Sequence, residues 1–265
     1  MDYDDAYANA PYIPGADEYP EKWAARADAF RTTARARLDM AYGPHPRQRL
    51  DLFQPEGAPQ GLVVFVHGGY WLKFDRKLWS HLAAGPLARN WAVAMPSYRL
   101  APEVHIAEIT GDVRASIELA AAGIAGPIVL AGHSAGGHLV ARMLCPDVGL
   151  SDAVAGRLRR VVPISGLSDL RPLMNTAMND QFRMDLAEAR AESPALCADP
   201  LAVPVVAWVG GAERPVFLDQ SRWLADAWPQ AELHVDHGRH HFDVIEGLET
   251  ADSPLTRALL DGIAS

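Results

Sequence analysis

The chain has 265 residues, a formal net charge of −9, and 49 % hydrophobic against 22 % charged residues. That is enough for one large α/β domain with its own core, and the acidic surplus argues against nucleic acid or an anionic membrane as partner. The two cysteines, Cys145 and Cys197, stand at no metal-type or redox spacing. They read as free thiols in a reducing, cytoplasmic setting.

The first residues, Met1-Asp2-Tyr3-Asp4-Asp5, are acidic and hold no apolar run, so no signal peptide is expected, and no stretch approaches transmembrane length. Residues 1–40 carry no strong period. They read as an N-terminal extension packed over the domain, with a helix from Tyr19 to Arg37. Tyr42-Gly43 and Arg49 to Phe53 suggest an antiparallel pair of edge strands. Leu62 to Val66 is a continuous apolar run, the pattern of a strand buried on both faces, and it ends in His67-Gly68-Gly69-Tyr70-Trp71. A helix (78–89), a strand (Trp91 to Met95) and a second helix (Ile106 to Ala122) follow. Then comes the strand at Ile128 to Ala131, a turn, and a helix over His138 to Leu144. Beyond it the residues predict a strand at Arg160 to Ile164, a small lid-like insertion over 170–200, and a strand at Val203 to Val209. A helix from Val216 to Trp228, a last strand at Glu232 to Val235 and a closing helix from Asp243 complete the order. Strands alternating with helices imply a single α/β domain with a mostly parallel central sheet flanked by helices.

The turn after Ala131 reads Gly132-His133-Ser134-Ala135-Gly136, the G-x-S-x-G spacing of a nucleophile elbow. Glycines on both sides let strand and helix approach closely, and the strained turn projects the serine hydroxyl at a helix N-terminus that favours developing negative charge. In this fold the acid and then the histidine follow the nucleophile in the chain. Glu213, four residues past Val209, meets the demand for an acid after a late strand; Asp219 and Asp226 are alternatives inside the helix pattern. Four histidines follow: His234, His237, His240 and His241. His234 falls within a strand, and His241, seated by Phe242, is favoured over His240 as the base. The set His237, His240 and His241 lacks ligand spacing, so no metal and no other cofactor is expected. His67-Gly68-Gly69 has the form of an oxyanion loop, with amides of Gly68 or Gly69 joined by that of Ala135.

These motifs, with Ser165-Gly166-Leu167-Ser168-Asp169-Leu170 after the elbow helix, resemble the metal-independent arylformamidases (kynurenine formamidases) of the α/β-hydrolase superfamily. Tyr98-Arg99-Leu100-Ala101-Pro102-Glu103 is similar to a run in hormone-sensitive-lipase-like esterases. The likeness spans about Tyr42 to Leu248. The acid position departs from the aspartate frequent in that family. The resemblance implies an α/β-hydrolase fold and hydrolysis of N-formyl-L-kynurenine through a formyl-enzyme on Ser134, with Tyr70 and Trp71 offering an aromatic wall to the substrate. A carboxylesterase or thioesterase acting on short acyl groups is the competing reading. A non-catalytic binding protein on the same fold is a third, which an intact Ser134, Glu213 and His241 argues against. The expected partner is a small-molecule formamide or ester.

Overall fold

The computed structural model describes residues 2–263. Eight strands form one sheet: β1 (Ala36–Ala41), β2 (Arg49–Phe53), β3 (Leu62–Val66), β4 (Ala92–Pro96), β5 (Ile128–His133), β6 (Leu158–Ile164), β7 (Val205–Gly210) and β8 (Ala231–Asp236). Their spatial order is β1-β2-β4-β3-β5-β6-β7-β8. β1 pairs antiparallel with β2 and β2 antiparallel with β4, and every pairing from β4 through β3 to β8 is parallel. The apolar runs of β3, β4, β5 and β7 are wholly buried because helices cover both faces. Two hydrophobic cores result, one on each side of the sheet. The helices Ile106–Gly123, Ala135–Arg142 and Pro215–Ala227 pack over one, and Tyr19–Thr33 and Pro254–Leu260 over the other.

The elements differ from the sequence expectation mainly at the sheet's first edge and at the C-terminus. The partner of Arg49–Phe53 is Ala36–Ala41 rather than Tyr42-Gly43, and the N-terminal helix stops at Thr33. β1 escapes period-2 reading because its register shifts between Arg37 and Met40, where Asp39 takes a positive φ of 57°. The segment at 78–89 is two 3₁₀ turns and a short helix, Ala84–Ala88. Gly85 there packs so closely on the Leu248 carbonyl that a Cβ would come within 2.5 Å. No helix starts at Asp243. Its carboxylate accepts from the His240 amide at 2.7 Å and closes a turn, and the last helix begins at Pro254, capped by Ser253.

The 170–200 segment consists of the short pieces Arg171–Asn175, Asn179–Phe182, Leu186–Ala191 and Pro194–Leu196. It is fastened to the elbow helix by buried polar contacts. Arg142 Nε donates to the Glu192 carboxylate at 3.2 Å, and His138 Nε2 donates to the Glu192 carbonyl at 2.6 Å. The N-terminal extension is fastened to the opposite rim. Tyr7 is buried, its carbonyl accepts from the Tyr70 hydroxyl (2.7 Å), and its hydroxyl accepts from Gln220 Nε2 (2.9 Å). Asp5 pairs with Arg214 at 2.7 Å, and Trp23 packs against Trp79 and Phe242 with ring centroids 4.7 and 5.4 Å apart. The extension therefore folds over the carboxyl edge of the sheet, where open α/β sheets place their ligands.

Candidate active site

Ser134 sits between β5 and the elbow helix with φ 56° and ψ −118°, a strained backbone for a residue with a Cβ. Close packing holds it there. A Cβ on Gly132 would fall 2.2 Å from the Gly136 carbonyl, and one on Gly136 would fall 2.0 Å from the Val66 carbonyl. The Ser134 amide donates to the Ile164 carbonyl of β6 at 2.8 Å, which fixes the turn to the neighbouring strand.

Glu213 follows β7 and His241 follows β8, and both are buried. His241 Nδ1 lies 2.5 Å from Glu213 Oε2. Since a carboxylate only accepts, Nδ1 carries the proton and Nε2 is left with its lone pair. The other carboxylate oxygen accepts from the Ser165 hydroxyl (2.5 Å) and the Gly210 amide (2.8 Å). Three donors thus hold the Glu213 carboxylate aimed at the imidazole. The rival assignments have other duties. Asp219 pairs with Arg222 at 2.8 Å and Asp226 is exposed. His240 meets the Tyr19 hydroxyl at 3.2 Å, His234 stacks on Trp208 at 3.8 Å, and His237 is exposed. Among the described residues no group of three or more His, Cys, Asp or Glu side chains could hold a metal ion.

The oxyanion loop is oriented by its own histidine. His67 Nδ1 donates to the Gly68 carbonyl at 2.7 Å, and in a trans peptide the N–H of Gly69 then points the opposite way. Tyr98 stacks on the His67 ring with centroids 4.4 Å apart and donates to the His67 carbonyl at 2.8 Å. Burial lowers the His67 pKa to about 4, so the ring stays neutral. Gly68 lies against the nucleophile, where a Cβ would sit 2.9 Å from that of Ser134. Among the described residues no acceptor takes the amides of Gly69 and Ala135, the latter at the first turn of its helix.

Ser134, His241, Gly68, Gly69 and Tyr70 open on one cavity of about 320 Å³. Its walls are aromatic: Trp23, Phe74, Trp79, Phe242 and Tyr70, with Tyr7 to Pro11 of the extension on the outer side and Met178 from the 170–200 segment. Trp71 is not among them. Its ring is fully buried against His138 and Phe182, at 5.1 and 5.5 Å, so of the two aromatics expected at the substrate only Tyr70 faces the cavity. Sequence reasoning missed Ser165, although its place just after β6 marks it, and it missed the aromatic and polar side chains of the extension. His133 also escaped it. Its Nε2 donates to the His241 carbonyl at 2.8 Å, and burial, then the neighbouring His241, push its pKa well below the ordinary value.

A strained serine, an imidazole with a free Nε2 and unpaired amides beside it suit acyl transfer. Residues 50–227 match the BD-FAE family. Kynurenine formamidase of Danio rerio is 30 % identical over 245 residues, covering 87 % of this chain and 83 % of that one. A crystal structure of a candidate thioesterase from Silicibacter sp. tm1040 superposes with a TM-score of 0.96 at 56 % identity, covering 98 % of this chain and 99 % of that one. Esterase B from Lactobacillus rhamnosis shares the fold, with a TM-score of 0.68 at 20 % identity over 91 % of this chain and 90 % of that one. The chain belongs to the BD-FAE family of α/β-hydrolases, as a serine hydrolase of the arylformamidase and carboxylesterase type.

Proposed function

We propose that this hydrolase is an arylformamidase that cleaves N-formyl-L-kynurenine to formate and L-kynurenine, as a cytoplasmic step of tryptophan breakdown. The observation that carries the reading is the aromatic cavity that opens on Ser134, which suits a flat aryl group. The relatives named kynurenine formamidase support it.

In this reading His241 Nε2 takes the Ser134 hydroxyl proton as Oγ bonds to the formyl carbon. The oxyanion forms against the amides of Gly69 and Ala135, and Glu213 stabilises the imidazolium. The C–N bond then breaks, the imidazolium proton passes to the aniline nitrogen, and a formyl ester remains on Ser134. Water, deprotonated by His241, attacks that ester. Formic acid leaves as the proton returns to Ser134 Oγ, and gives its own proton to solvent to become formate.

A thioesterase or carboxylesterase acting on short acyl groups is the second reading, favoured by the 56 % identical candidate thioesterase. Steady-state kinetics with N-formyl-L-kynurenine, p-nitrophenyl acetate and a short acyl-CoA separate the two. The formamide is expected to show the highest kcat/KM, and Ser134→Ala to lose at least 10⁴-fold, as removal of a triad nucleophile generally does. Turnover of the esters alone would replace the formamidase reading with the esterase one.

A further inference from the structure

Three polar side chains at the cavity have no role in the bond-breaking steps. Lys73, at the end of the oxyanion loop, lines the cavity with its ammonium 5.0 Å from the Phe74 ring centroid. Among the described residues no carboxylate lies within ion-pair distance of it. Asp4, on the N-terminal extension, also lines the cavity. One of its oxygens accepts from the Ala177 amide at 2.7 Å, and no cation among the described residues pairs with it. Asn9, from the same extension, is buried at the cavity wall, yet its side-chain amide makes no hydrogen bond within the described residues. A cation, a carboxylate and an amide left unpaired around an otherwise aromatic cavity form an incomplete polar set. Lys73 and Asp4 are exposed and so are free to meet a ligand that enters the cavity. Opposite charges lining one cavity fit a ligand carrying both charges.

We propose that Lys73, Asp4 and Asn9 bind the zwitterionic head group of an α-amino acid whose aryl side chain fills the cavity. Lys73 takes the carboxylate, Asp4 the ammonium, and Asn9 a polar atom between head group and ring. The proposal rests on the formamidase reading for the identity of the aryl amino acid and makes that site selective for it. A simple aryl ester offers these groups nothing, so discrimination lies in the charged end of the substrate, and the exposed positions of Lys73 and Asp4 make it salt-sensitive.

The test is equilibrium binding by calorimetry to the Ser134→Ala protein, which does not depend on turnover. The ligands are N-formyl-L-kynurenine and its decarboxylated analogue, N-formylkynuramine. The amino acid is expected to bind about tenfold or more tightly than the amine, the preference shrinking between 50 and 500 mM salt, on the order of one charge-assisted contact. Lys73→Met is expected to erase the preference by weakening only the amino acid. Asp4→Asn is expected to weaken both ligands, since both keep the ammonium. Equal binding of the two ligands, no binding of either, or a preference that survives Lys73→Met overturns the proposal. The formamidase reading fails separately, if wild-type enzyme binds the amino acid selectively but does not cleave it.

Discussion

The acid of the site is held by more than its histidine. Ser165 adopts a positive φ of 51° to bring its hydroxyl to the buried Glu213 carboxylate, a cost accepted just after a strand end. Ser165→Ala and Ser165→Gly both remove a hydrogen bond to a charged group, worth about 1.5–3 kcal/mol. Both should lower kcat/KM with p-nitrophenyl acetate by roughly tenfold or more. Glycine also relieves the backbone, so the Gly variant should melt above the Ala variant. Full activity in both would mean that Gly210 and His241 suffice to orient Glu213. Ser134 and His241 were legible as residues because the elbow spacing and the chain order announce them. Ser165 was quoted only within a family segment, because its contribution is a contact across 48 residues of sequence rather than a pattern. Tyr70 and Trp71 looked equivalent in the sequence. Both backbones have positive φ, at 52° and 56°, and the tight turn throws one ring into the cavity and the other into the core.

Among the elements, the central strands were readable because burial on both faces leaves no polar residue to break the run, as in Leu62–Val66. The edges were not. β1 and β8 are half exposed and mix Arg, Asp, Glu and His with apolar residues. The N-terminal extension was opaque for a similar reason. Its pieces are a one-turn helix, two 3₁₀ turns and a helix with only Trp23 and Ala27 buried, so no period develops. Its docking depends on a few anchors, Tyr7 foremost. Tyr7→Ala removes a buried ring that meets Phe217 at 6.0 Å and the hydroxyl that accepts from Gln220, a loss of about 3 kcal/mol or more for a large aromatic. Hydrogen exchange of residues 3–12 should then quicken by about a hundredfold, with β3 and β5 unaffected, and KM for an aryl substrate should rise. Uniform loss of protection across the sheet would show instead that the extension and the domain unfold as one unit.

At the scale of the whole molecule, several buried histidines are kept neutral. Burial lowers His67 and His81 to about 4 and His138 to about 3, and pushes His133 well down. Above about pH 6.5 folded and unfolded chains both carry neutral rings. Below it the unfolded chain takes up protons that the folded one refuses, so stability falls as pH drops from 6.5 toward 4. Each such ring adds a slope of about 1.4 kcal/mol per pH unit within its window. Urea unfolding at pH 7, 5.5 and 4.5 should give steeply declining free energies, and a flat profile would contradict the neutral burial of these rings.

The outer wall of the cavity belongs to residues 4–11 of the extension, which lie outside the sheet from which Ser134, Glu213 and His241 project. Substitutions at positions 4–11 can therefore remodel the mouth of the cavity while the machinery beneath keeps its geometry. Selection for a new substrate would find its cheapest route there. A library at those positions that keeps Tyr7 as the anchor, screened on ester and formamide together, would explore that route while the sheet and its catalytic residues stay unchanged.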